Sequence, residues 1–232
     1  MKKILCVLMI LALCAFSALV FAENTLSVTG KGESFLTAET AYVSLGVQAR
    51  STDVREAQQQ VNGGIERILS ALIAGGTARE DINTDNINIY MYSEYNEQGE
   101  ERSYYSASSM LTVRVNDPLL AGSVIDTAFD AGANVLNGIS FGAENTDESE
   151  KEALKNAVEN ARMKAEALAA AAGVKLEGIL SISEGNTFSY DSGANSFTQL
   201  KEQAAADGTI VQAARLCVST QVTVVWRFSE GK

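Results

Sequence analysis

Residues Glu150 to Gly185, EKEALKNAVENARMKAEALAAAAGVKLEGILSISEG, join an alanine-rich helix to an apolar strand through one glycine. Leu154, Ala157, Val158, Ala161, Ala165, Leu168, Ala169 and Ala172 recur at steps of three and four, which draws a single apolar stripe along a helix. Asp147 and Glu150 stand at capping-box spacing ahead of it, and Gly173 falls where a helix end favours a left-handed residue. A long helix with one apolar stripe must lie on another layer, so the chain is restricted to layered folds.

The rest of the chain supplies that layer. In VSLGVQA, Val43, Leu45, Val47 and Ala49 alternate with Tyr42, Ser44, Gly46 and Gln48, as a half-buried strand requires. Asp53 to Ala74 reads as a helix with Val54, Ala57, Val61, Ile65, Ile68, Leu69 and Leu72 as its stripe; Gly63 and Gly64 inside it mark either close packing or a kink. Ile87, Ile89 and Met91 alternate, NEQGEERS makes a polar tip, and SASSMLTVRV returns, which predicts an antiparallel hairpin. Asn116, Asp117 and Pro118 signal entry to a short helix ending near Gly132, followed by the strand VLNGISFGAE. After LEGILSIS, residues Asn186 to Gly208 read as a long mobile connection with a helical turn around Gln199 to Ala206. The last strand places Leu216, Val218, Val222, Val224, Trp226 and Phe228 on one side. The expected fold is α+β: helices packed on one face of a largely antiparallel sheet, in two loosely repeated strand-helix halves, Thr25–Asn116 and Asp117–Phe228.

The N-terminus, MKKILCVLMILALCAFSALVFA, has two lysines, an uncharged apolar core and small residues at its end, the pattern of a secretory signal peptide cleaved after Ala22. An uncleaved anchor is the alternative, because the apolar run is close to the length of a membrane span. Lipidation at Cys14 is disfavoured by the bulky Leu13 before it. Cleavage leaves a domain at residues 23–232. Removing Lys2 and Lys3 moves the net charge from −11 by two units to −13. That acidity argues against nucleic acid as a partner, and no later stretch is suited to stable membrane insertion.

Cysteine and histidine usage narrows the chemistry. Cys6 and Cys14 leave with the signal peptide, so no intramolecular disulfide is expected and packing must supply the stability. The chain has no histidine, which removes the usual general base and the commonest zinc ligand. Cys217, the remaining thiol, alternates out of phase with the apolar side of its strand. It is either a thiol open to oxidants or a small inert strand residue, and the lack of a resolving cysteine favours the inert reading. Carboxylates are plentiful at Asp81, Asp85, Glu100, Glu101, Asp147, Glu148, Glu150 and Glu152. The last four suit a first helical turn and Glu100 and Glu101 a solvated tip, so no catalytic, metal or cofactor site is assigned.

Tyr90, Tyr92, Tyr95, Tyr104 and Tyr105 gather around one hairpin, either as a recognition surface or as cross-strand aromatic packing. The off-core strand faces carry Tyr42, Ser44, Gln48, Tyr90, Tyr92, Ser108, Thr112, Ser181, Ser183, Ser219, Gln221 and Thr223, and are polar and nearly free of lysine and glutamate. Solvated sheets normally carry such charges against association. The candidate contact surface is therefore Tyr42, Ser44, Tyr90, Tyr92, Tyr95, Tyr104, Tyr105 and Thr223.

LSVTGKGE followed by TAYVSLGVQA, the YYSASSMLTV run from Tyr104 to Val113, NGISFGAENTDE leading into the long helix, and STQVTVVWRF together resemble the SIMPL-domain family of exported bacterial proteins. The family's proline-aspartate pair between the first two strands is replaced here by Thr37-Ala38-Glu39. The resemblance implies a SIMPL-like fold, a periplasmic or otherwise exported location, and a link to stress defence without a mechanism. It carries no active site. The resulting expectation is a non-catalytic envelope protein that acts as a homo-oligomer or with an envelope protein partner; the alternative is a module that binds a small molecule or peptide.

Overall fold

Each strand has one apolar side, and in the computed structural model, which describes residues 24–185, 189–192, 208–212 and 215–231, those sides are shared between two antiparallel sheets. The fold is α+β and antiparallel as expected, with the strands divided between two sheets in place of one. The strands are β1 (Thr25–Thr37), β2 (Thr40–Ser51), β3 (Ile82–Tyr95), β4 (Glu101–Val115), β5 (Val135–Gly142), β6 (Val174–Glu184), β7 (Ser189–Ser192) and β8 (Arg215–Glu230). The helices are α1 (Val54–Ala74), α2 (Ala121–Asp130) and α3 (Asp147–Ala172). One sheet runs β3-β4-β2-β5; the other runs β1-β8-β6, with β7 also paired to β8. Each sheet draws strands from both halves of the chain, so a division at Asn116 does not describe the architecture. The signal segment and the helical turn at Gln199–Ala206 lie outside the described residues. Strand β7 stands within the stretch expected to be a connection.

Two compact units partition the chain, one of residues 32–156 and 186–220, the other of residues up to 31, 157–185 and 221 onward. In the first, Asp53 caps α1 by accepting from the N–H groups of Arg55 (2.8 Å) and Glu56 (3.0 Å), satisfying two donors that the first helical turn leaves unpaired. Ala57, Val61, Gly64, Ile68 and Leu72 are the buried stripe, while Val54 at the helix start is exposed. Gly64 serves close packing: a Cβ there would stand 2.9 Å from Val47 Cγ2. Leu45, Leu111, Ile68 and Leu72 are essentially sealed from solvent, each burial favouring the fold by about 1.5–3 kcal/mol. Val43 and Val113 join them, with Ala121, Ile125 and Ala128 from α2. The helices thus cover one side of the sheet over β2 and β4.

In the same unit, Thr146 caps α3: its hydroxyl donates to Glu150 (2.7 Å), and the Glu150 N–H donates to the Thr146 carbonyl (2.8 Å). The expected cap at Asp147 is displaced by one residue, because Asp147 already belongs to the first turn.

In the other unit the buried stripe of α3 is narrower than its sequence suggests. Ala157, Ala161, Ala165 and Ala169 are buried at steps of four, whereas Leu168 and Ala172 are exposed and Val158 is half-buried. The small stripe lets the helix lie close on β1. A Cβ at Gly30 would be 2.5 Å from the Ala161 nitrogen and 2.7 Å from its Cβ. Alongside, the Lys31 N–H donates to Asn160 Oδ1 (3.1 Å) and Lys164 Nζ donates to the Thr29 carbonyl (3.0 Å). Gly173 ends the helix at φ 68°, the left-handed conformation its position called for. Val222, Val224 and Trp226 fill the apolar side of β8, as the alternation requires.

Candidate contact surface

Alternation along β2 sends Val43, Leu45 and Val47 into the core and therefore turns Tyr42, Ser44, Gln48 and Arg50 to the opposite side of the sheet. Register extends that side across β4 and β3. Ser44 is opposite Thr112, Gln48 opposite Ser108 and Arg50 opposite Ser106; Asn88 is then opposite Ser108, Tyr90 opposite Ser106 and Tyr92 opposite Tyr104. Helices α1 and α2 pack on the other side of the sheet. It holds five of the eight residues expected to make contacts: Tyr42, Ser44, Tyr90, Tyr92 and Tyr104.

The tyrosines form a tilted row. Ring centroids are 6.0 Å apart for Tyr90 and Tyr92 and 6.0 Å for Tyr92 and Tyr104. The Arg50 guanidinium lies 3.7 Å from the centroid of Tyr104 and 5.6 Å from that of Tyr92, within cation–π range. Arg50 also holds Glu94 through two hydrogen bonds of 2.6 and 3.0 Å, so cation and carboxylate cancel. At the other end of the face, Arg114 pairs with Glu144 and with Asp81 at 3.7 Å. Gln48 donates its amide to Ser106 Oγ at 2.9 Å. The surface presents rings and amides with its main charges internally paired, while the Ser44 hydroxyl is buried without a hydrogen-bond partner. Arg50 was not among the expected residues, although it shares the alternation of Ser44 and Gln48; that phase was the available signal.

Three expected residues lie elsewhere. Tyr105 is opposite Met91 and packs at the margin of the core on the helix side of the sheet, and Tyr95 shares that side because β3 alternates. Thr223 belongs to β8, in the other unit, and its hydroxyl is 3.2 Å from that of Thr29. Cys217 is half-buried on β8 with Asp191 as its backbone partner on β7. The acidic residues are engaged structurally: Glu152 accepts from Ser34 (2.9 Å) and Glu148 from Lys151 (2.8 Å). Lys151, by hydrogen bond and charge, holds the Glu148 carboxyl below its ordinary pKa. Among the described residues no His, Cys, Asp and Glu cluster of three or more could hold a metal ion. A shallow depression along α1, lined by Gly63, Glu66, Arg67, Ser70 and Ala71, lies away from the tyrosines.

Residues 26–226 match SIMPL, described as a "Protein of unknown function (DUF541)". The chain belongs to the SIMPL family. It is 32% identical over 183 residues to the 26 kDa periplasmic immunogenic protein of Brucella melitensis biotype 1, a match covering 73% of this chain and 73% of the relative. The protein of the same description from Brucella abortus strain S19 matches at the same identity and coverage. The segments that carried the SIMPL resemblance map onto β1, β2, β4, the passage from β5 into α3, and β8. The opening two SIMPL-like strands do not form a hairpin but enter different sheets. Both relatives are named periplasmic, and no helix of the described residues is long and apolar enough to cross a membrane. Membership of SIMPL brings a fold and no named activity.

Proposed function

We propose that this SIMPL protein is exported to the cell envelope and acts without catalysis, by association through the open face of β2, β3 and β4. The observation that carries the reading is the composition of that face: Tyr90, Tyr92, Tyr104, Gln48 and Asn88 share the side away from α1 and α2, with Arg50 neutralised by Glu94. In a chain of net charge −11, a second copy can approach such a face with little like-charge repulsion. Tyrosine adds contact area at low entropic cost, and amides and hydroxyls can exchange water for partner hydrogen bonds. Self-association is the first reading, and an envelope protein partner is the other occupant of the same face. The names of the relatives and the signal-like N-terminus support the exported location.

The test is charge placed on the face. Tyr90→Lys and Ser44→Lys should lower the assembled mass or abolish partner capture while leaving the circular dichroism spectrum unchanged. Unchanged assembly and unchanged partner binding in both variants would refute the assignment.

A further inference from the structure

Edge strands usually carry a device that stops them pairing with another chain: a bulge, a lysine, a proline or shortness. Among the described residues four of the five edge strands do, β7 by its length of four residues. β5 has eight residues and a register shift opposite Ser44/Leu45. β6 has two register shifts and carries Lys175, Glu177 and Glu184. β1 carries Lys31 and Glu33. β3 is different. Its one shift, at Thr84/Asn86 beside Asp85, lies near its start; from Asn86 to Tyr95 it runs regularly, with no lysine, arginine or proline and only Glu94 charged. Its helix-side residues Ile87, Ile89 and Met91 lie beside buried Ser109 and Ala107 and half-buried Tyr105, yet are 70%, 38% and 60% exposed because the helical layer stops over β4. An apolar row is therefore open along an unguarded edge.

We infer that β3 pairs antiparallel with β3 of a second copy, about a two-fold axis at Ile89, continuing the sheet from one protomer into the next. This rests on the self-association reading and adds to its face a second contact, the edge of β3. The register is selected by charge and by side. Centred on Ile89, Ile87 of each copy faces Met91 of the other, so the exposed apolar rows merge on one side of the joined sheet. Asn88 then faces Tyr90 and Asn86 faces Tyr92 on the other side, next to the tyrosine surface. Regular pairing then ends at Asn86 and Tyr92; Asp85 lies at the shift and Glu94 is already held by Arg50, so no carboxylate is set against another within it. A register centred half a residue later, between Ile89 and Tyr90, would place the isoleucine row opposite the tyrosine side. The partner that fits is thus a copy of the same strand.

The experiment is native mass measurement on the chain from Glu23 onward. Ile89→Lys and Ile89→Glu each place like charges across the two-fold axis, and each alone should have a mass below wild type. An equimolar mixture should recover the wild-type mass, because lysine then faces glutamate. On one chain, Ile87→Lys/Met91→Glu should keep the wild-type mass and Ile87→Lys/Met91→Lys should lose it, which separates pairing from misfolding. Single Ile89 variants at full wild-type mass, or a mixture that stays dissociated, would overturn the pairing while leaving association by another surface standing. A wild type that is monomeric at every concentration would remove the self-association reading together with it.

Discussion

Gly30 of β1 stands so close to Ala161 of α3 that a Cβ on the glycine would lie 2.5 Å from the alanine nitrogen. The two residues set the distance between a strand and the helix over it. Gly30→Ala should push α3 outward and cost about 1–3 kcal/mol, the range for overpacking a filled core. Gly178→Ala is the control, because a Cβ there meets no atom within 4 Å; its effect should stay within about 0.5 kcal/mol. Urea denaturation midpoints compare them. Equal stability of the two variants would show that the close approach does not constrain the packing.

Thr209 crosses α2 at Gly122, where a Cβ would collide with the Thr209 carbonyl oxygen. Asp126 accepts from the Thr209 hydroxyl (2.6 Å) and backbone N–H (3.0 Å), and Val211 packs at the margin of the core. Those two bonds, the hydroxyl first, hold the Asp126 carboxyl below its ordinary pKa. A depressed carboxylate stabilises the attachment above the unfolded value, about 4, and the contribution is lost as pH falls through the lower folded value. Amide exchange at Thr209 and Val211, corrected for intrinsic rate, should therefore accelerate below about pH 4. In Asp126→Ala it should already be fast at neutral pH. Equal protection in both proteins at pH 7 would contradict the latch.

Arg50 organises the tyrosine row by stacking on Tyr104 and binding Glu94, and all three are at least partly solvent-exposed. Arg50→Ala should leave the denaturation midpoint nearly unchanged, since exposed ion pairs contribute little to folding. It should nevertheless weaken assembly, by releasing the Glu94 charge on the contact face. Loss of fold stability with assembly intact would assign Arg50 to the fold and not to the surface.

Cys217 is half-buried in a strand whose apolar side faces the other way. Cys217→Ser should retain the wild-type mass with and without reductant. A role for this thiol in stress defence would show itself as loss of protection against peroxide in the Cys217→Ser strain with assembly preserved. If the substitution abolishes assembly, the thiol belongs to the contact and not to redox chemistry.

Strong periodicity carried much of this fold in the sequence. The span of α1, the Gly173 stop, the hairpin and the apolar side of β8 stand where local pattern and turn chemistry place them. Pairing between distant strands was not legible: nothing in Leu26–Glu33 says that β1 joins β8 and not β2, because both pairings bury the same alternate residues. The buried stripe of α3 is narrower than its period suggests, since Leu168 fits the period but the close approach at Gly30 favours alanine alone. On the contact surface, alternation separated Ser44 and Tyr90 from the core correctly, while Tyr95 and Tyr105 were grouped with them by nearness in sequence. Their out-of-phase positions put them on the other side. The exposure of Ile87, Ile89 and Met91 depends on where the helical layer ends, and no local pattern encodes that.

This acidic chain is expected to join itself through neutral strand surfaces. Light scattering on the chain from Glu23 onward, over a dilution series with reductant present, tests that most directly. The expected result is a constant multiple of the monomer mass, reduced by Tyr90→Lys and by Ile89→Lys. A single-chain mass at every concentration would contradict it and direct the search to a partner protein or ligand instead.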